Sequence, residues 1–141
     1  MSGSDLNLHA SAVVLQGRGL LIQGASGSGK SGLALSLMAH GAQLVSDDRT
    51  ILTRDAGGVW MSAPAPIAGM IEARGIGLIR ADCAPHAPLH AMVDLDHEER
   101  DRLPPNREIS ILGYSVPLLF NVSSPYFPAS LVQFLKGGRR A

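Results

Sequence analysis

Apolar and polar positions alternate loosely from Leu6 and then close into Ala12-Val13-Val14-Leu15, a pattern that predicts one strand from Leu6 to Leu15. Gln16-Gly17-Arg18-Gly19 has the composition of a tight turn, and Gly19-Leu20-Leu21-Ile22-Gln23 predicts a short buried strand, so the two runs read as a hairpin. From Ser31 to His40 the period changes. Leu33, Ala34, Leu37 and Met38 fall on one face of a helix, Gly41 supplies its stop, and His40 stands where a cation suits the helix dipole. Ala42 to Ser46 predicts a strand ending at Asp47-Asp48. Thr50-Ile51-Leu52-Thr53 and Val59-Trp60-Met61 flank Asp55-Ala56-Gly57-Gly58 as a second hairpin.

Ala63-Pro64-Ala65-Pro66 predicts a loop too short to divide domains. Met70 to Arg74 and Ile76 to Ile79 predict strands around Gly75, and Ala84 to Pro88 a loop. Leu89, Ala91, Val93 and Leu95 would share one face of a strand. Asp96 to Leu103 is charged enough to read as a solvated connection, and Val116 to Val122 predicts a strand despite Pro117. Ser130 to Lys136 places Leu131, Val132 and Leu135 at helical spacing, ended by Gly137-Gly138.

A chain of 141 residues, 45% hydrophobic and 17% charged, fits a single soluble domain with a real core. Aromatic residues are only 4%, so that core rests on Leu, Ile, Val, Ala and Met. The formal net charge is zero, and apart from Arg139-Arg140 there is no basic stripe of the kind that tracks nucleic acid. No apolar run reaches the ~18 residues of a membrane span, and the N-terminus lacks a signal-peptide pattern. The single cysteine, Cys83, leaves no partner for an internal disulfide and no cluster for zinc. The expectation is a cytoplasmic protein without nucleic-acid or membrane partners.

Chemistry enters with Gly24-Ala25-Ser26-Gly27-Ser28-Gly29-Lys30-Ser31, which fits the nucleotide-phosphate loop G-x-x-x-x-G-K-[ST]. Its glycines let the backbone curl so that amide N–H groups converge on phosphate oxygens. Lys30 would meet the β- and γ-phosphates of ATP, and Ser31 would offer a hydroxyl to Mg²⁺. The loop lies between a predicted strand and a predicted helix, whose N-terminus favours anions. Asp47-Asp48 is the nearest acidic supply. On a strand that runs through the pair, only one carboxylate would face the γ-phosphate; if the strand ends between them, both could. Glu72 and Arg74 share a strand face and fit either a metal ligand with a phosphate partner or a surface ion pair. His9 is a lone histidine in a largely apolar strand. His86, His90 and His97 have no metal spacing and read as structural or exposed.

Together, His9, the loop from Gly24 to Ser31, Leu44-Val45-Ser46-Asp47-Asp48 and Ile71-Glu72-Ala73-Arg74-Gly75-Ile76-Gly77 resemble the HPr kinase/phosphorylase family. The resemblance runs from His9 to about Pro117, and Arg102-Leu103 is a weaker element of it. It implies an α/β fold with a mixed sheet, a P-loop and helices packed against it, similar to phosphoenolpyruvate carboxykinase. It implies that residues 24–31 bind ATP, that Ser31 and Glu72 serve Mg²⁺, and that Lys30, Arg74 and His9 act at the catalytic site. The aspartate pair would supply the base that deprotonates a serine of the phosphocarrier HPr, with a slight preference for Asp47. A homo-oligomer, hexameric in the family, is implied, as is a role for Ser130 to Lys136 in docking the carrier. Full-length members carry an extra N-terminal domain, so the chain resembles a short form. Two departures stand out. Gly32 replaces the acid that many members carry after the loop serine. The region of the family's Pro-Val-x-Pro-Gly-Arg-Asn segment, linked to dephosphorylation, reads Val116-Pro117-Leu118-Leu119-Phe120-Asn121, so the expectation is kinase activity without support for the phosphorylase half. Other readings of the loop are a small-molecule kinase and a non-catalytic ATP-sensing module; a GTPase is disfavoured because no Asn-Lys-x-Asp occurs.

Overall fold

A computed structural model describes residues 5–141. The elements are β1 (Asp5–Leu8), β2 (Ala10–Leu15), β3 (Arg18–Gln23), α1 (Lys30–Ala39), β4 (Gln43–Ser46), β5 (Thr50–Asp55), β6 (Gly58–Ser62), a 3₁₀ turn (Ala65–Ile67), β7 (Met70–Ala73), β8 (Gly77–Arg80), β9 (Ala87–Glu98), β10 (Glu108–Ile111), β11 (Tyr114–Asn121) and α2 (Phe127–Gly137). Nine strands form one curled mixed sheet in the order β1-β5-β6-β9-β3-β2-β4, with β11 parallel to β9 and β10 antiparallel to β11. β7 and β8 form a separate two-stranded sheet.

Both helices pack on one face of the large sheet. Ala34 and Leu37 of α1 and Phe127, Leu131, Val132 and Leu135 of α2 meet Val13, Leu20, Ile22, Ala91 and Val93. The opposite face closes on itself, with Leu21, Val45, Leu52, Met61, Met92 and Val116 in a second core. Alternation along β3, with Leu20 and Ile22 on one side and Leu21 on the other, is what lets one strand feed both cores. α1 ends as its sequence predicts. Gly41 is left-handed (φ +107°), its N–H bonds the Met38 carbonyl at 3.0 Å, and the Ala42 N–H bonds the Leu37 carbonyl at 3.0 Å.

Several expectations need correction. The run from Leu6 to Leu15 is two strands broken at His9: β1 pairs with β5, whereas β2 pairs with β3 and β4. Leu89 does not share a face with Ala91 and Val93. The β3–β9 register slips opposite His90, so Leu89 joins the second core while Ala91 and Val93 face the helices. At that slip a Cβ on Gly19 would lie 2.3 Å from the Pro88 carbonyl oxygen, so only glycine allows the strands to close. β9 also begins at Ala87 and continues through Glu98, into residues read as loop and solvated connection. The chain from Glu108 to Ile111 adds a strand, α2 starts earlier at Phe127, and Ile76 belongs to the turn before β8. No helix among the described residues is long and apolar enough to cross a membrane.

Candidate active site

β3 delivers the chain to Gly24, and α1 takes it up at Lys30. Between them Gly27 (φ +81°) and Gly29 (φ +101°) are left-handed, which is the backbone freedom the curl needs. No side chain caps the N-terminus of α1, and no acid lies in its first turn, so its leading N–H groups and partial positive charge remain available to an anion. Lys30 is buried. Its ammonium donates to the carbonyls of Gly24 (2.9 Å) and Ala25 (3.1 Å), which folds it across the loop and leaves one N–H for another acceptor. The Ala25 N–H donates to Asp96 Oδ1 at 3.0 Å, so the end of β9 holds the loop from outside. A Cβ on Gly24 would meet Ser28 Oγ at 2.5 Å and Leu95 Cβ at 3.1 Å. Ser28 Oγ is itself buried with no hydrogen-bond partner. Replacing Ser28 by Ala should therefore leave stability unchanged or raise it by up to about 1 kcal/mol, because an unsatisfied hydroxyl is removed; thermal unfolding checks this, with a lower Tm as the contrary result.

The two aspartates have different surroundings. β4 ends at Ser46, before either of them. Asp47 is buried, and its carboxylate accepts three hydrogen bonds. Ser11 Oγ (2.8 Å) and Ser31 Oγ (2.7 Å) donate to Oδ1, and the Glu72 N–H donates to Oδ2 at 3.0 Å. One side chain thus ties β2, the start of α1 and β7 together. Asp48 is left-handed (φ +69°), which an aspartate tolerates better than most residues. The Arg49 N–H closes a tight turn around it on the Asp47 carbonyl at 2.7 Å. Asp48 is thereby turned outward, 67% exposed, with Oδ1 2.7 Å from Nε2 of His9. The break between β1 and β2 is what brings the His9 ring to this rim.

Glu72 ends up near the aspartates because its N–H is bonded to Asp47, and Arg74 follows in the turn after β7. No ion pair joins Glu72 to Arg74 among the described residues. A cavity of about 450 Å³ is lined by the loop residues Ser26, Gly27, Gly29, Lys30 and Ser31, by Gly32 and Leu35, and by His9, Asp48, Glu72 and Arg74. A second, of about 270 Å³, adjoins it at Ser31, Asp48 and Glu72 and reaches Asp47, Ile67, Met70 and Leu78. His9, Ser26, Gly27, Gly29, Lys30, Ser31, Asp48, Glu72 and Arg74 thus meet at the first cavity, Asp47 lines only the second, and Gly24, Ala25 and Ser28 line neither. Arg102, exposed in the loop after β9, lines neither cavity. Sequence reasoning passed over Ser11 and Asp96. Ser11 had a signal, a lone hydroxyl inside Ala10-Ser11-Ala12-Val13; Asp96 was hidden in a charged run.

Such an arrangement can seat a polyanion on the N–H groups of the loop and on Lys30. Ser31 hydroxyl and Glu72 carboxylate are hard oxygen donors that fit Mg²⁺, and the bond from Ser31 Oγ to Asp47 leaves the serine lone pairs free to ligate. Asp48 can accept a proton from a group that enters the cavity.

The family model of the HPr Serine kinase C-terminal domain matches residues 3–84. HPr kinase/phosphorylase of Streptococcus thermophilus is 32% identical over 124 residues, which is 79% of this chain and 40% of that protein. The protein of the same name from Clostridium botulinum is 41% identical over 75 residues, 53% of this chain and 25% of that protein. The chain thus spans well under half the length of these curated relatives. Among solved structures, the Hpr(Ser) kinase/phosphatase from Coxiella burnetii superposes with a TM-score of 0.79 at 26% identity, covering 93% of this chain and 94% of that one. The chain belongs to the HPr serine kinase C-terminal domain family.

Proposed function

We propose that the chain is an ATP-dependent protein-serine kinase whose acceptor is the phosphocarrier protein HPr. The observation that carries this reading is the exposed Asp48–His9 pair on the rim of the glycine-loop cavity, beside a buried Asp47 that fixes Ser31 and Glu72. The names of the relatives supply the acceptor.

The loop N–H groups from Ser26 to Ser31 and the Lys30 ammonium bind the β- and γ-phosphates of ATP and stabilise charge spreading over the transferred group. Ser31 and Glu72 would hold Mg²⁺, with Asp47 orienting the serine from below. When bound, the metal neutralises phosphate charge. Asp48 is the base. Its free carboxylate oxygen takes the proton from the acceptor serine as the serine oxygen forms a bond to the γ-phosphorus and the bond to the bridging β,γ-oxygen breaks, giving phosphoserine and ADP. His9 holds the other oxygen and so fixes the direction of the free one. Arg74 faces the same phosphates from the hairpin side. The loop seated between β3 and α1 on a mixed sheet supports a likeness to phosphoenolpyruvate carboxykinase. The proposal covers the kinase half of the family activity, since residues 116–121 lie in strand β11 without the Gly-Arg pair. A homo-oligomer is part of the proposal.

Incubation with γ-labelled ATP, Mg²⁺ and HPr tests this. Label on HPr is expected. Label on a metabolite in the absence of protein acceptor would indicate a small-molecule kinase, and tight ATP binding without any transfer a sensing module.

A further inference from the structure

Three non-glycine residues have positive φ among the described residues, and two of them are ordinary. Gln16 and Leu112 each open a two-residue hairpin turn, ahead of Gly17 and Gly113. The third, Asp48, is the centre of a three-residue turn closed by the Arg49 N–H on the Asp47 carbonyl. A turn of this size with positive φ is the rare, strained hand. Such a conformation costs free energy and persists only where its surroundings over-determine it. At Asp48 those surroundings include two buried serines. Ser46 Oγ donates to the Arg49 carbonyl at the far end of the turn. Ser11 Oγ, wholly inside the protein, accepts the Asp48 N–H at 3.3 Å.

A hydroxyl has one hydrogen and two lone pairs. The Ser11 hydrogen is committed to Asp47 Oδ1 at 2.8 Å, so a lone pair is what its oxygen turns to the Asp48 N–H. One atom thereby joins the carboxylate of the buried acid to the backbone of the exposed one. The strands fix its place. Ala12 pairs with Ser46, the last residue of β4, so Ser11 falls beside the aspartates where β4 ends. Thr50 Oγ1 donates to the Ala10 carbonyl at 2.9 Å and holds β2 against the chain that leaves the turn. Asp47 does not depend on Ser11 alone, since Ser31 Oγ and the Glu72 N–H also donate to it. The Asp48 N–H has no second acceptor among the described residues. We propose that Ser11 is a positioning residue for phosphate transfer: it holds the Asp48 peptide in its left-handed turn and so aims the carboxylate that takes the acceptor proton. This rests on the protein-kinase reading above, with Asp48 as base. His9 fixes the carboxylate itself, and Ser11 fixes the backbone that carries it. Without the Ser11 oxygen the turn is free to relax toward ordinary φ, and the carboxylate leaves its line to the acceptor.

The test is Ser11→Ala, alone and combined with Asp48→Asn. Calorimetric affinity for Mg²⁺·ATP should stay within about threefold of wild type, because Asp47 keeps the Ser31 and Glu72 donors. That result also certifies the fold. With HPr as acceptor, kcat should fall about ten- to hundredfold, the penalty for a misaimed reacting group, with KM for HPr within about threefold. In the Asp48→Asn background no base is left to aim, so Ser11→Ala should lower the residual single-turnover rate by less than about twofold. An unchanged kcat in Ser11→Ala overturns the inference. So does an equal loss in both backgrounds, which would make Ser11 a support of the site as a whole. A fall in ATP affinity large enough to explain the lost transfer also overturns it, and would assign Ser11 to Asp47 alone. Failure of the underlying reading is distinguishable, because it shows in the wild-type chain: no transfer to HPr at all removes the base and, with it, this role for Ser11.

Discussion

Replacing Asp48 by Asn is expected to lower the rate of phosphate transfer to HPr about 10²–10⁴-fold, the usual contribution of a positioned general base. Nucleotide affinity should hold or improve slightly, because the change removes a negative charge from the wall of a cavity built for a polyanion. The fold should be unaffected. Asp48 is mostly exposed, its carboxylate bonds only the His9 ring among the described residues, and asparagine tolerates the left-handed backbone at φ +69° as well as aspartate does. Single-turnover transfer and calorimetric ATP binding, measured on the same preparation, separate the two effects. A wild-type transfer rate in the variant would remove Asp48 from the role of base.

Asp47→Ala should fail differently. Its carboxylate takes the hydrogens of Ser11 Oγ, Ser31 Oγ and the Glu72 N–H. Removing it leaves three buried or half-buried donors without their acceptor, at about 1–3 kcal/mol each where water cannot enter. A loss of roughly 3 kcal/mol or more is expected, a fall in Tm of about 10 °C for a chain of this size. Ser31 and Glu72 would lose their shared anchor, so Mg²⁺-dependent ATP affinity should fall about tenfold or more. Thermal unfolding with and without Mg²⁺·ATP reads both. A stable Asp47→Ala protein that binds nucleotide normally but transfers nothing would reverse the roles given to the two aspartates.

The glycine loop was legible because each of its positions answers a separate demand: Gly27 and Gly29 for left-handed backbone, Lys30 for charge, Ser31 for a hydroxyl at a helix start. The α1 pattern and its glycine stop were legible for a similar reason, since they are local. What stayed hidden depends on partners. Alternation from Leu6 to Leu15 cannot reveal that the first half pairs with β5 and the second with β3 and β4, and that change of partner is what exposes His9. Nor can it show the extra residue at His90 that turns Leu89 to the other core. The aspartate pair illustrates the limit best. Both acids stand in sequence at the end of one strand, where the resemblance gives Asp47 a slight preference as base. The left-handed turn at Asp48 separates them, one buried under three donors and one beside His9 at the rim, and this favours Asp48. Asp96 was passed over because a charged run looks solvated whether or not one member reaches back to the Ala25 N–H.

Mass spectrometry of HPr after incubation with Mg²⁺·ATP and either the wild-type chain or Asp48→Asn tests the kinase assignment most directly. One phosphoserine on HPr with the wild-type chain, and none over the same interval with the variant, is the expected result. Unmodified HPr with a wild-type chain that binds ATP would contradict it.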